Sequence, residues 1–463
     1  MLFPPSLPSR LLLIFFALLV HIIAEILLWA AGETGNNALV FLALLVWFSW
    51  FALVFLVAMP RADSLLRPYR KVIYIAATVI MILMIIMGLG EVIGLHLLNS
   101  GAATESELSK KASQTFQYGD DTALVHQASL NYIDGKNPYS NVNIVKAAEE
   151  FDVPITRLTA LRKGAFADVF PEPTEDQMAE ALRKAKEAHN DSPEEFISVL
   201  CYAPGSFILP APFVALGLED IRFFYMLCAL VLAAFVLWKS PRGLRPLVVA
   251  FFLANLMLWN DVAGGRTDAI YLLLLLLGWT SRRQLLLSAL FMGLAAATKQ
   301  FAWLYILFYL VLLLREVGWK RTLQALGVIA AIFTIVNLFF FLDAPQPWLE
   351  GVLSGFLTPF FPLGNGIVTL SIAGIMPDNR LIFTVMELTV LLLGLAWYYK
   401  NCTKYPQAGL LLAVLPYFFS WLSYSRYFCN AAILVFGAVT IEEYRGYRAG
   451  KQAQLATNST TDG

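Results

Sequence analysis

Polar residues in this chain fall into short clusters, and the stretches between them are apolar for about the length of a bilayer crossing. Segments 10–31 and 38–59 are the first two such runs. A hydrocarbon core about 30 Å thick needs roughly 20 apolar residues in a helix. Neither run alternates with a period of two, so a β-barrel is excluded. The same reading along the chain marks twelve candidate spans: 10–31, 38–59, 72–98, 222–238, 246–260, 267–281, 283–298, 300–315, 323–342, 381–399, 408–424 and 427–441. Several are short, as helices facing a thinned bilayer or a wet cavity are. The predicted fold is all-α, a polytopic transmembrane bundle of about 12 spans. The first run is too long for the apolar core of a signal peptide and carries His21 and Glu25, so it reads as an uncleaved span.

The charges between the runs set an orientation. One set of connections holds Arg10, Arg61, Arg67, Arg70, Lys71, Lys239, Arg242, Arg245, Arg282, Arg283, Arg315, Lys320, Arg321, Lys400, Lys404, Arg445, Arg448 and Lys451. The short loops of the other set hold only Arg222, Arg266, Lys299, Arg380 and Arg426. By the positive-inside rule the first set is cytoplasmic. Both termini are then inside, and the long loop 99–221 is outside. Segment 201–217 cannot also span, or every later charge would change sides. Its Pro204, Pro210 and Pro212 argue against a straight helix, and it reads as interfacial or re-entrant. A second outer loop, 343–380, contains the apolar aromatic piece 348–361.

This divides the chain into a helical hairpin at 1–60, a transmembrane module at 61–441 and a disordered cytoplasmic tail at 442–463. The outer loop is punctuated at 134–141, 169–173 and 190–195. Thr174 is placed to open a helix with Glu175 and Asp176 in its first turn.

Composition narrows the classes. Apolar residues make up 59% and charged residues 14%, against about 45–50% and 25% in a soluble domain. The 33 basic and 33 acidic residues cancel, and no basic domain stands out, so nucleic acid is not an expected partner. Cys201, Cys228, Cys402 and Cys429 form no metal or disulfide spacing and read as small buried hydrophobes. No glycine-rich phosphate loop is present, which argues against an ATP-driven machine.

Several residues carry candidate chemistry. Asp120 and Asp121 follow the third span in YGDDTALVHQA. A carboxylate there can serve as a general base or hold a metal, and Asp121 before Thr-Ala-Leu-Val also reads as an N-cap. Lys299 interrupts an apolar stretch at the outer boundary, a place for an anionic group or for a snorkelling anchor. Arg266 and Asp268, with Asp261 nearby, sit in WNDVAGGRTDAIY, where pairing with each other is the plain structural reading. Arg426 is a lone cation in LSYSRYFCN. Four outer cations (Arg222, Arg266, Lys299 and Arg426) beside one carboxylate would suit an anionic leaving group. Glu25, Glu91 and Glu387 within spans fit a proton-coupled transporter or neutral groups bonded between helices. The histidines show no ligand spacing.

The order of these motifs resembles a known family. DDTALVHQASLNYIDGKNPYS on an outer loop, YAPGSFILPAP after it, then GRTD and ATKQFAW at outer helix ends are similar to the GT-C superfamily of integral membrane glycosyltransferases. The likeness is to its bacterial branch of polyprenyl-phosphate-mannose-dependent mannosyltransferases, and it covers roughly residues 72–441. It implies a polyprenyl-phosphate sugar donor, membrane-lipid partners, a bacterial cytoplasmic membrane and an extracytoplasmic active site. It places the general base on Asp121, with Asp120 the less favoured neighbour. It puts Lys299 and an arginine such as Arg426 or Arg266 on the lipid phosphate, with Arg222 a further donor-site cation. Asn137, Pro138 and Tyr139, with Tyr202 and Asp268, would shape the site. No cofactor is required; some members use a divalent metal such as Mg or Mn. The chain departs from the family in its extra hairpin, its doubled Asp and its long loop after the NPY motif. The alternatives are a secondary transporter or lipid flippase, which predicts inverted repeats, and a polysaccharide polymerase or ligase relying on outer arginines.

Overall fold

A computed structural model describes residues 8–99 and 116–442, and it is almost entirely helical. The first two runs form an antiparallel hairpin, Ser9–Thr34 and Asn37–Ala58. Gly35 takes a left-handed φ of 63° to end the first helix. The Asn36 side chain then accepts from the Ala38 N–H at 3.0 Å and starts the second. Buried Arg10 ties the hairpin's other end to the next element, its Nε lying 3.0 Å from Asp63. The hairpin is packed into the bundle by an aromatic edge, Trp47 meeting Phe428 at 4.8 Å between ring centroids, while Trp47 and His21, 5.4 Å apart, join its two helices.

Among the described residues, six helices are long and apolar enough to cross a bilayer: Ser9–Thr34, Asn37–Ala58, Ala62–Gly94, Arg222–Lys239, Trp319–Asp343 and Arg380–Asn401. The pair Arg242–Ala254 and Leu256–Ala263 adds a seventh crossing if counted as one span, bent by 50°. The bend falls at Asn255, whose side chain caps the second piece by accepting from the Leu258 N–H. The sequence predicted about twelve spans. Of the other runs, Asp268–Thr280 and Leu285–Ala296 fold as helices too short to cross unaided, the latter 12 residues or about 18 Å, whereas 427–441 lies in a helix that runs from 425 to 442. The first two are short because polar breaks such as the segment around Lys299 cut the apolar stretch and bring charge into the bundle. Lipid-facing surface is legible where large apolar side chains repeat along one face, as Leu381, Val385, Leu388 and Leu392 do while exposed.

Segment 201–217 forms two short helices, Gly205–Ile208 and Ala211–Ala215, interrupted at Pro210. The Gly205 N–H donates to the Ala297 carbonyl at 2.7 Å, and a Cβ there would meet that oxygen at the same distance. The two long loops pack together: Leu161 bridges Phe360, and Arg162 pairs with Asp378 at 2.6 Å. Thr174 caps Glu175–Glu187 through a reciprocal bond with Gln177. The expected tail lies, beyond Glu442, outside the described residues.

Candidate functional site

The helix Asp120–Ile133 begins after Gly119, so Asp120 and Asp121 occupy its first turn and neither is its N-cap. The partial positive charge of a helix start favours carboxylates there. Gly119 is required by crowding: a Cβ would lie 2.9 Å from Asp121 Oδ1 and 3.3 Å from the guanidinium nitrogens of both Arg157 and Arg266.

The two aspartates diverge at once. Asp120 turns inward and is buried. Its oxygens accept from the Thr159 N–H at 2.6 Å and the Asp121 N–H at 2.7 Å. Burial, with the neighbouring Asp121 charge, raises its pKa. Asp121 faces the cavity. Its Oδ1 accepts from Arg266 Nη1 at 2.5 Å and from the Thr122 N–H at 3.0 Å; its Oδ2 accepts the Tyr202 hydroxyl, at 3.0 Å. Burial alone would push this carboxyl up, but Arg266, Arg426 and Lys299 outweigh it and hold Asp121 well below the usual carboxylate range. Adjacent carboxylates whose environments drive them apart mark a division of roles.

Tyr202 is itself held in place. Its carbonyl accepts the Tyr139 hydroxyl at 2.7 Å. Asn137 caps the turn Pro138–Asn141, accepting from the Tyr139 N–H at 3.1 Å. Its Nδ2 donates to the Phe340 carbonyl at 3.2 Å and to Asp343 at 2.9 Å. The NPY motif thus locks to the end of the Trp319–Asp343 helix and positions Tyr202 without reaching Asp121 itself.

The four expected cations do not converge. Arg266 and Arg426 line the cavity with Asp121. Lys299 lies behind it, paired with Asp268 at 2.9 Å, both side chains almost wholly buried. Its ammonium sits 4.8 Å from the Tyr202 ring centroid and backs that residue. Arg266 and Asp268 therefore do not pair with each other. Arg222 pairs with Asp220 at 2.6 Å over the Tyr118 ring and belongs to a second cavity. Arg426 has no carboxylate within ion-pair distance among the described residues. Its guanidinium lies over Tyr424 and Tyr427, 4.4 and 5.3 Å from their centroids.

The cavity is about 270 Å³. Its lining combines charged groups with aromatic rings, including Phe301, Tyr417 and Trp421. Sequence reading missed Tyr424, Tyr427, Gln300 and Arg157. Arg157 lies in an undistinguished loop stretch, ITRLTA, and its pKa is lowered to about 10 by burial and by Arg266. Only the fold reveals it. A divalent metal does not fit the donor set. Asp121 is engaged by Arg266 and Tyr202, Asp120 by two backbone N–H groups, and among the described residues no three His, Cys, Asp or Glu side chains gather as ligands.

The fold and site define a helical membrane protein with a carboxylate and two arginines facing an aromatic-walled cavity. A sequence model of glycosyltransferase family 87 matches residues 200–436, more than half of the chain, and the chain belongs to that family. No curated protein and no solved structure matches it. The chain is thus a glycosyltransferase with membrane-crossing helices. The matched stretch contains Tyr202, Arg266, Asp268, Lys299, Glu387 and Arg426; Asp120, Asp121 and the NPY motif precede it.

Proposed function

We propose that the protein is a mannosyltransferase-like hexosyltransferase of the bacterial cytoplasmic membrane, moving a sugar from a polyprenyl-phosphate donor to a lipid, glycan or protein acceptor. Asp121 is the general base. The observation that carries the reading is its placement: a charged carboxylate on the cavity with one Oδ2 lone pair open, beside Arg266 and the carboxylate-free Arg426. The acceptor hydroxyl gives its proton to Asp121 Oδ2 as its oxygen attacks the anomeric carbon from the face opposite the phosphate. The glycosidic bond to phosphate breaks, and polyprenyl phosphate leaves with the electron pair. Configuration inverts. The departing phosphate needs little protonation, and fixed cations facing the site of developing charge lower the barrier. Arg266, turning toward that phosphate, would also release Asp121 Oδ1 and make the carboxylate a stronger base. Lys299 supports Tyr202, and through it Asp121. The aromatic walls suit the lipid chain.

The accompanying topology is about twelve spans with the short helices counted, both termini cytoplasmic and the cavity open to the outer leaflet. The charge asymmetry of the connections supports it. The test is transfer from synthetic polyprenyl-phosphate mannose to membrane lipids by purified protein in nanodiscs. Wild type transfers; Asp121→Asn does not, while keeping its helical circular dichroism. Full activity in that variant sinks the mechanism. A ligase-type reaction relying on the arginines would instead tolerate Asp121→Asn and fail with Arg426→Ala.

A further inference from the structure

Glu25, Glu91 and Glu387 lie within helices long and apolar enough to cross a bilayer, and their surroundings differ. Glu25 accepts from Asn365 Nδ2 at 2.8 Å and lies 3.4 Å from His21. Glu91 is bonded to Asn260. Glu387 has no hydrogen-bond or ion-pair partner among the described residues, and it lines the same cavity as Asp121. It sits on the Arg380–Asn401 helix, whose residues Leu381, Val385, Leu388 and Leu392 face outward as exposed apolar side chains. Thr384 and Glu387, spaced i and i+3, both line the cavity, and the Thr384 hydroxyl donates to the Arg380 carbonyl at 3.1 Å, leaving its lone pairs to accept from a ligand. Arg380, two turns earlier, does not neutralise Glu387 by contact. Its guanidinium donates to the carbonyls of Thr358 at 2.7 Å and Gly355 at 2.6 Å.

A carboxylate at membrane depth is costly, and one aimed into a cavity is there for what enters the cavity. An acyl chain has no use for it. An ammonium-bearing ligand would share the cavity with Arg266, Arg380 and Arg426. The remaining chemistry is that of hydroxyl donors on a ring with an apolar face, which a carboxylate and nearby aromatic side chains bind together. We propose that Glu387 and Thr384 form a hydroxyl-recognition subsite for a hexose ring, with Trp421 and Tyr417 as its aromatic wall. The inference rests on the cavity being where sugar transfer occurs, as proposed above, and adds a specificity-determining carboxylate distinct from the base.

The experiment titrates the full-length protein in nanodiscs with methyl α-mannopyranoside, methyl α-glucopyranoside and the monodeoxy methyl mannosides. Trp303 and Trp421 line the cavity and supply the fluorescence signal. Wild type binds saturably. Glu387→Gln weakens binding roughly tenfold and Glu387→Leu up to about a hundredfold, as expected for losing a hydrogen bond to a charged group. Leucine suits a membrane helix, so the second variant guards against a folding failure. The monodeoxy sugar lacking the recognised hydroxyl binds wild type and Glu387→Leu alike. Displacement of the methyl glycoside by synthetic polyprenyl-phosphate mannose assigns the subsite to the donor sugar; its absence assigns it to the acceptor. Unchanged binding of methyl mannoside by Glu387→Leu overturns the proposal, and so does a wild-type protein that binds no methyl hexopyranoside. Asp121→Asn keeps sugar binding while losing transfer, so failure of the subsite and failure of the base register separately.

Discussion

The doubled aspartate offers the sharpest test, because the two carboxylates differ in what their replacement by asparagine removes. In Asp121→Asn the amide keeps one oxygen for the Tyr202 hydroxyl but loses the charge facing Arg266. The two side chains are 14% and 19% exposed. Breaking a fully buried pair costs about 3–5 kcal/mol, so this part-exposed one should cost about 2 kcal/mol with screening included. The protein stays folded. Its rate should fall by roughly a hundred- to ten-thousandfold, the usual contribution of a positioned base, or about 3–5 kcal/mol of barrier. In Asp120→Asn the amide must accept from both the Thr159 and Asp121 N–H groups. One donor is left facing an NH₂ group, a loss of about 1–3 kcal/mol of stability. Burial and the neighbouring Asp121 charge already disfavour the ionised form of Asp120, so removing its charge costs less than removing that of Asp121. Its rate should fall less than tenfold.

Single-turnover transfer and thermal unfolding in the same nanodiscs read both effects. A dead Asp120→Asn with an active Asp121→Asn would refute the assignment. The pH profile adds a check. Arg266, Arg426 and Lys299 overcome burial and depress the Asp121 pKa, so its stabilising ionisation is complete above the unfolded value of about 3.9. It is lost only as pH falls toward the lower folded value. The acid limb of the rate should therefore lie below the ordinary carboxylate range.

Three other outcomes are expected. Lys299→Met strands Asp268 as a buried charge and should cost about 3–5 kcal/mol of stability, most of it recovered in the double variant Lys299→Met with Asp268→Leu; equal stability of single and double variants in detergent melts would mean that the pair is not the buried contact described. Buried His126, stacked on Phe151 at 4.5 Å, has its pKa lowered to about 4 from 6.5 by burial; the unfolded imidazole takes up a proton below about 6.5 while the native one stays neutral, so up to about 3 kcal/mol is lost as pH falls through that window, and His126→Phe should flatten this part of the melting curve against pH. A cysteine replacing the exposed Glu187 should react with a membrane-impermeant maleimide in intact cells, whereas labelling only after lysis would reverse the orientation.

The apolar runs made the helical class legible, because a bilayer imposes a length that a sequence cannot disguise. They do not separate the six helices that are long enough to cross, among the described residues, from the shorter apolar ones. Counting apolar residues does not show where a chain stops being helical, and Lys299 and Asn255 mark such breaks. The base candidate was legible from its local text, but its partner was not. Arg266 and Asp121 are 145 positions apart. Nearby Asp268 looks the more natural mate for Arg266, yet the turn at Gly265 aims Arg266 elsewhere. Gly265 has a φ of 79°, and a Cβ there would strike Thr122 Oγ1 at 2.5 Å. That hydroxyl donates to the Gly265 carbonyl, seating the turn on the Asp120–Ile133 helix so that Arg266 meets Asp121. Asp268 instead starts its own helix and points into the bundle toward Lys299. Long-range pairing of this kind is set by packing and leaves no periodic trace.

The N-terminal hairpin changes meaning most. As text it is an addition to the 61–441 module. In the fold, Glu25 on its first helix holds the Asn365 side chain, and the Asn365 N–H donates to the Ser423 carbonyl at 2.7 Å. Ser423 lies in the two-residue parallel pairing of Leu363–Gly364 with Leu422–Ser423, three positions before Arg426. Gly364 and Gly366 allow this approach, since a Cβ on either would sit within 2.3 Å of backbone or side-chain atoms of Ser423. Phe428, two residues beyond Arg426, meets Trp47 of the hairpin edge-on. The segment carrying the cavity's carboxylate-free arginine is therefore braced on both sides by the hairpin. A flexible arginine loses rotamer entropy when it is aimed at a ligand, and bracing its backbone from two directions limits that cost before the ligand arrives.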